Sequence, residues 1–163
     1  MVEIKRRTPS VGETAPSFSL KNSDLKELSL GEFQGKTAVL LFFPAAFSGT
    51  CTMELCTFRE HIADMVEVNA QVVGISVDLP YTLREFRRTS QLSFQLLSDF
   101  DRTTINQYGV VDEDFHGYHA GVAMRSVFVV DAGGTIAWTW VAERQSDTPE
   151  FGDVYEAVER LAQ

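Results

Sequence analysis

The sequence predicts an α/β fold in which a central mixed sheet carries helices on both faces. Residues 37–43 and 72–77 are apolar runs without alternation, which is typical of strands covered on both sides, and each precedes a helical pattern. Nearer the end, two β-branched segments flank Ala132-Gly133-Gly134, a strong hairpin signal that adds antiparallel strands to the same sheet.

The N-terminal part predicts an arm and then a hairpin. Residues 1–10 are charged and then carry a proline, which favours a flexible N-terminal arm, and 11–163 has a length that suits one domain with one core. Residues 18–30 alternate apolar and polar side chains around Asn22-Ser23-Asp24, as two short strands joined by a turn would.

Helices are expected after each buried strand. Residues 49–69 carry apolar side chains at mostly helical spacing, so the first long helix is placed there. Pro80 can open a second helix over 80–88, because a first turn does not need the missing N–H. A βαβ unit is therefore expected.

The remaining pattern is more broken. It predicts a short strand at 94–97, a short helix at 101–108 closed by Gly109, and a polar loop at 110–124. The glycine-marked hairpin follows, and an amphipathic helix at 149–161 closes the chain.

Composition excludes several classes of protein. Fourteen Lys and Arg stand against 23 Asp and Glu, a net charge of −9, which argues against nucleic acid or an anionic membrane surface as partners. The 44% hydrophobic content excludes wholesale disorder. No apolar run approaches the roughly 18 residues of a membrane span. Two cysteines cannot form a multi-bridge scaffold and no signal peptide is visible, so a reducing cytoplasm is expected.

Cys51 is the candidate nucleophile. It lies where a buried strand gives way to a helix, and there the unpaired amide groups and the positive end of the helix dipole favour a thiolate. The alternative is a small buried residue, since free cysteines are commonly interior. The position at a strand–helix junction favours the nucleophile.

The surrounding motif is similar to that of a known family. Pro44-x-x-x-Ser48-x-x-Cys51 resembles the Pro-x-x-x-Thr/Ser-x-x-Cys signature of the peroxiredoxins, with Glu54 at a matching acidic position and Arg125 heading a strand as in that family. The segment 42–49 resembles the alkyl hydroperoxide reductase E type, and the Cys51-Thr52-x-x-x-Cys56 pattern resembles the bacterioferritin comigratory protein type. The resemblance covers about 11–130, and the last thirty residues match only in outline.

The resemblance implies a thioredoxin-like fold and a thiol-dependent peroxidase that reduces hydrogen peroxide or small organic hydroperoxides through Cys51. It implies no metal and no cofactor. The expected partners are the peroxide and a thioredoxin-like or other thiol reductant, and the family suggests homodimers or larger assemblies.

Peroxide cleavage needs an anionic sulfur and donors that stabilise charge on the departing oxygen. Arg125 would hold both the thiolate and a peroxide oxygen, although it could instead form a surface ion pair. The Ser48 hydroxyl can contact the peroxide or cap the helix by accepting the amide of Cys51, and both are possible together.

Two further residues have less specific signals. Pro44 would end the strand and shield the pocket from water, although a proline commonly follows a strand in proteins without having a catalytic role. Glu54 lies one turn beyond Cys51 and is assigned to orienting an arginine such as Arg125, with an ordinary first-turn dipole contact as the alternative.

Cys56 is the candidate resolving cysteine that the resemblance implies. Five residues along an intact helix mean roughly 7.5 Å of rise and Cα atoms about 9 Å apart, beyond the usual disulfide limit of about 7 Å. A Cys51–Cys56 disulfide therefore requires the helix to unwind. The alternative makes Cys56 an apolar core residue, with an external thiol attacking the sulfenic acid.

Other functions are less well supported by the sequence. A zinc site from Cys51, Cys56, His116 and His119 is disfavoured, because cysteines five apart on a helix point in different directions. A thioredoxin-type disulfide oxidoreductase is a closer alternative, but the Cys-x-x-Cys pair that such enzymes use is absent from this sequence. A non-enzymatic holdase function on the same fold is a further alternative that the sequence leaves open. His61, about 15 Å along the helix from Cys51, is too far to act as its base.

Overall fold

A seven-stranded mixed sheet organises the chain in the structure, a computed structural model that describes residues 7–163. The strands are β1 (Ser19–Asn22), β2 (Glu27–Ser29), β3 (Thr37–Phe42), β4 (Ala70–Ser76), β5 (Gln95–Ser98), β6 (Val111–Asp112), β7 (Val122–Ala123), β8 (Ser126–Val130) and β9 (Ile136–Val141). The sheet order is β2-β1-β5-β4-β3-β8-β9, with β6 and β7 paired separately. Strands β3, β4 and β5 are parallel, and the other neighbours are antiparallel.

Helices connect and cover these strands. They are α1 (Gly49–Glu60), α2 (Ile62–Glu67), α3 (Pro80–Thr89), α4 (Thr103–Gln107) and α5 (Phe151–Leu161), with a 3-10 turn at Leu30–Phe33. Each parallel strand pair is joined through helices, as βαβ units require.

The interior strand β3 faces a hydrophobic core on each side of the sheet. Leu40 and Phe42 point to one face, where α4 and the 3-10 turn pack. Val39 and Leu41 point to the other, where α1, α2, α3 and α5 pack. Every residue of β3 is buried, as the unbroken apolar run predicts. The predicted mixed sheet with helices on both faces is confirmed.

The N-terminal hairpin is present as predicted. Leu20 of β1 lies opposite Leu28 of β2. Asn22 holds the turn, because its Oδ1 accepts the amides of Asp24 and Lys26 at 2.9 and 3.1 Å. Strand β1 also pairs with β5, which attaches the hairpin to the sheet.

The predicted arm at 1–10 lies largely outside the described residues. Among those described, the Thr8 hydroxyl donates to the carbonyl of Gly109 at 3.1 Å. The Arg7 guanidinium donates to the Ser10 hydroxyl at 3.0 Å.

The helix predicted over 49–69 is wrong in one respect, because it breaks at His61. Its backbone angles there, φ −109° and ψ 15°, leave the helical region, so α1 ends at Glu60 and α2 begins at Ile62. The His61 ring stacks on Phe151 of α5 at 4.2 Å between centroids. The apolar periodicity continues across the break, and periodicity alone therefore does not reveal it.

The segment predicted as a polar loop over 110–124 contains paired strands. Asp112 of β6 lies opposite Val122 of β7. The chain reverses between Phe115 and Tyr118, where His116 and Gly117 have φ of 55° and 83°. Two residues per strand are too few for alternation to predict.

Within residues 7–163, no helix combines the length and the apolar content needed to span a bilayer.

Candidate active site

The first turn of α1 places Cys51 at the carboxyl end of β3. Ser48 is the N-cap, with extended backbone angles of φ −66° and ψ 147°. Its Oγ accepts the backbone N–H of Cys51 at 3.2 Å. This contact satisfies one of the amides that a helix leaves unpaired at its start.

The loop between β3 and α1 is held in place by Asp78, which follows the neighbouring strand β4. Pro44 is buried where β3 ends, and Phe47 adopts φ 69°, a left-handed conformation that is uncommon outside glycine. The Ala46 amide donates to Asp78 Oδ2 at 2.8 Å, and the Ser76 hydroxyl donates to the same oxygen at 2.7 Å. Asp78 therefore holds the turn that leads into the cysteine helix.

Sheet register explains how Arg125, 74 residues along the chain, reaches Cys51. Strand β8 runs antiparallel to β3, and Ser126 lies opposite Phe42, the last residue of β3. Arg125 directly precedes β8. It therefore lies beside the strand end from which the chain enters the cysteine loop.

The guanidinium of Arg125 joins the thiol and a carboxylate. Nη2 donates to Cys51 Sγ at 3.3 Å, and Nη1 donates to Glu54 Oε2 at 2.7 Å. Cys51 is fully buried, Arg125 is 1% exposed and Glu54 is 4% exposed. One helical turn separates Cys51 from Glu54, so both face the same arginine.

Burial sets the electrostatics of this cluster. It raises the pKa of Glu54 to about 7 because desolvation outweighs the opposing effect of Arg125. Burial alone would lower the pKa of Arg125, but the nearby Glu54 and Cys51 leave it raised, so the guanidinium stays charged. Among residues 7–163, Glu54 Oε1 finds no hydrogen-bond partner.

Gln145, which sequence reasoning missed, also contacts the arginine. Arg125 Nε donates to the Gln145 carbonyl at 3.2 Å, and the Arg125 amide donates to Gln145 Oε1 at 3.1 Å. Gln145 lies in an irregular loop, where no periodicity or motif singles it out. Asp78 was missed as well, although its place just after a buried parallel strand is a usable signal, since such strand ends meet at one edge.

Cys56 stands apart from this cluster. It lies on α1 five residues beyond Cys51 and is half-buried, and both cysteines are free thiols. Helix α1 runs unbroken through both positions. His116 and His119 flank a turn around Gly117, and in the described part of the chain no group of three or more His, Cys, Asp or Glu residues could hold a metal ion.

Comparisons of the sequence with known proteins point to one family. The model of the AhpC/TSA family matches residues 11–139. Peroxiredoxin Bcp of Escherichia coli strain K12 is 36% identical over 126 residues, which cover 77% of this chain and 81% of the relative.

Solved structures show the same fold. Peroxidoxin BcpB from Mycobacterium tuberculosis superposes with a TM-score of 0.80 at 29% identity, covering 92% of this chain and 96% of that one. A peroxiredoxin-like protein from Aquifex aeolicus gives 0.86 at 24% identity over 96% and 90%. The chain therefore belongs to the AhpC/TSA family and is a peroxiredoxin, a thiol-dependent peroxidase with a thioredoxin-like fold.

Proposed function

We propose that Cys51 is the nucleophile that reduces hydrogen peroxide or small organic hydroperoxides. The observation that carries this proposal is the 3.3 Å contact from Arg125 Nη2 to a sulfur in the first turn of a helix. A buried guanidinium and a helix N-terminus both favour negative charge on that sulfur.

The reaction consumes one thiolate, one peroxide and one proton. The Cys51 sulfur attacks one peroxide oxygen, the O–O bond breaks, and the second oxygen leaves with its electron pair and takes up the proton as water or an alcohol. Cys51 becomes a sulfenic acid. Charge on the leaving oxygen is what the surrounding donors must stabilise.

Arg125 and Ser48 are assigned to the peroxide oxygens. The contacts within residues 7–163 use three N–H groups of the guanidinium, to Cys51, Glu54 and Gln145, which leaves two of its five for substrate. The Ser48 oxygen accepts the Cys51 amide, so its own proton stays available to a peroxide oxygen.

Glu54 and Pro44 are assigned supporting roles. Glu54 accepts from Arg125 Nη1, which turns the other end of the guanidinium toward the sulfur. Pro44 is buried at the end of β3 and has no N–H that would attract water to the pocket.

Cys56 is proposed to resolve the sulfenic acid as an intramolecular disulfide. Helix α1 holds both cysteines and keeps them too far apart for a bond, so this step requires α1 to unwind locally. The competing route, attack by an external thiol, needs no such change.

Regeneration, assembly and location complete the proposal. A thioredoxin-like or other thiol protein would reduce the disulfide, and a reducing compartment such as the cytoplasm suits a cycle that begins from two free thiols. We propose a homodimer or larger assembly of a single 11–163 domain, because β9 is an edge strand of the sheet and residues 12–13 bond only its first residue, Ile136, so that a second copy can pair with the rest of the strand.

The test adds stoichiometric peroxide to the reduced protein and follows mass and peroxide concentration for wild type, Cys51→Ser and Cys56→Ser. Wild type should lose two mass units as it forms the disulfide, and Cys51→Ser should consume peroxide only at the uncatalysed rate. Cys56→Ser should react as fast as wild type but accumulate a sulfenic acid. Consumption that persists in Cys51→Ser refutes the nucleophile, and an unchanged sulfenic acid lifetime in Cys56→Ser refutes the resolving role.

A further inference from the structure

The Arg125 guanidinium contacts residues of helix α1, which unwinds in the proposed cycle, and a residue of a loop outside that helix. Cys51 and Glu54, which accept from Nη2 and Nη1, both lie on α1. The third contact of the guanidinium runs from Nε to the main-chain carbonyl of Gln145, in the loop that joins β9 to α5. If α1 unwinds, the first two contacts are lost together and the third is not.

Every polar group of the Gln145 side chain is engaged around the arginine. Its Oε1 accepts the Arg125 amide at 3.1 Å. Its Nε2 donates to Asp112 Oδ2 at 2.8 Å and to the Ala123 carbonyl at 3.1 Å. Both hydrogens of that amide nitrogen therefore have acceptors, as a side chain with one fixed orientation requires.

These contacts tie the arginine to the small β6–β7 pair. Asp112 belongs to β6 and Ala123 to β7, and Met124 alone separates β7 from Arg125. The Ala142 amide also donates to the Arg125 carbonyl at 2.9 Å, which secures the loop beside β8. The Gln145 side chain thus connects β6, β7 and the main chain of Arg125, while its main-chain carbonyl accepts from the guanidinium.

We propose that Gln145 is a positioning residue that keeps the Arg125 guanidinium directed at the peroxide pocket independently of α1. The inference rests on the proposed function, in which Arg125 stabilises the reacting oxygens. Gln145 acts through Arg125 and contacts neither sulfur. With Gln145 in place, the arginine would keep its orientation when α1 unwinds and be ready when the helix reforms.

The experiment measures the rate constant for Cys51 oxidation by hydrogen peroxide in a single turnover. Gln145→Leu keeps the main-chain carbonyl that accepts from Arg125 Nε but removes, at similar size, the side-chain bonds to the Arg125 amide, Asp112 and Ala123 that hold this carbonyl in place. It should slow oxidation about tenfold, as misplacement of a catalytic donor does. The neighbouring Ser146→Ala, an exposed position, is the matched control and should stay within about twofold.

A double-mutant comparison separates positioning from general damage. In an Arg125→Gln background, Gln145→Leu should slow oxidation by less than about twofold further, because no guanidinium is left to orient. The same tenfold loss in both backgrounds would overturn the proposal, and so would an unchanged rate for Gln145→Leu alone. An Arg125→Gln rate equal to wild type would instead refute the proposed function, and with it the reason for positioning.

A second variant guards against misfolding of Gln145→Leu. Asp112→Asn keeps an oxygen that can accept from Gln145 Nε2, and it should react within about twofold of wild type, whereas Asp112→Leu should be about threefold slower. The Arg125 Nε–H signal in NMR spectra should shift and exchange faster with water in Gln145→Leu and Asp112→Leu. An undisturbed signal in both variants would also overturn the proposal.

Discussion

Two cysteines on one helix, five residues apart, occupy different environments. Cys51 is fully buried, its amide is capped by Ser48, and its sulfur accepts from Arg125. Cys56 is half-buried, and in the part of the chain that the structure describes no side-chain hydrogen bond reaches it. The residue type and the helix are the same, so the difference lies in what faces each sulfur.

The comparison shows that the surroundings of Cys51 are assembled from distant segments of the chain. The first turn of α1 supplies the amide environment, but the charge comes from Arg125 at the start of β8, and the loop geometry comes from Asp78 after β4. Cys56 lies more than a turn further along, beyond the reach of these groups.

Apart from removal of Arg125, the largest effect that sharpens this comparison is expected from Leu55→Ala. Leu55 is fully buried beside Cys56, and a Cβ placed on Gly74 would lie 3.4 Å from its Cδ2, so it anchors α1 directly on β4. Loss of this side chain should lower the free energy of unfolding by about 2–4 kcal/mol. It should also speed disulfide formation after sulfenic acid formation at least about tenfold, because unwinding breaks the same contact.

Rapid-quench mass analysis measures that step, and Met53→Ala, an exposed position on the same helix, is the control. A destabilised Leu55→Ala protein whose disulfide forms no faster than that of wild type would show that unwinding of α1 does not limit resolution.

A smaller, pH-dependent effect is expected from Glu54→Gln. Burial raises the pKa of Glu54 to about 7, above the unfolded value near 4.5, so its contribution to stability is fully present below about pH 4.5 and falls as pH rises through 7. Between pH 5 and pH 8 wild type should lose about 1–3 kcal/mol relative to Glu54→Gln.

Urea unfolding of the reduced proteins at the two pH values checks this, with exposed Glu60→Gln on the same helix as control. Parallel pH profiles for wild type and Glu54→Gln would contradict the buried-carboxyl account.

The smallest effect is expected from Asp78→Ala, which acts on the Cys51 side alone. It removes the acceptor for the Ala46 amide and should slow Cys51 oxidation about threefold, with about 1 kcal/mol of lost stability. Asp78→Asn retains an acceptor oxygen and should lie closer to wild type. Stopped-flow oxidation and sulfenic acid lifetimes are the readouts. Equal slowing of oxidation and resolution would mean that Asp78 does not act specifically on the Cys51 loop.

The sequence predicts the fold well where patterns are long. The unbroken apolar runs of β3 and β4 and the N-terminal hairpin follow from local periodicity and turn residues. The break at His61 does not, because it depends on a single residue whose ring stacks on α5. The β6–β7 pair is also missed, since two-residue strands carry no period.

The site residues likewise divide into those that the sequence predicts and those that it does not. Ser48, Cys51 and Glu54 are adjacent on one helix turn, so motif spacing brings them together, and Arg125 is found through its place at the head of a strand. Gln145 escapes detection, because its contacts to Arg125 depend on how an irregular loop folds back over β8. Side chains that reach the site only through tertiary packing have no characteristic spacing in the sequence from which they could be predicted.

The central claim is that Arg125 makes Cys51, and not Cys56, the peroxide-reactive sulfur. Its most direct test is the single-turnover rate of Cys51 oxidation by hydrogen peroxide in Cys56→Ser protein, with and without Arg125→Gln. The account predicts a fall of about a hundredfold or more when the guanidinium is removed. A rate that stays within about twofold of the parent would contradict it.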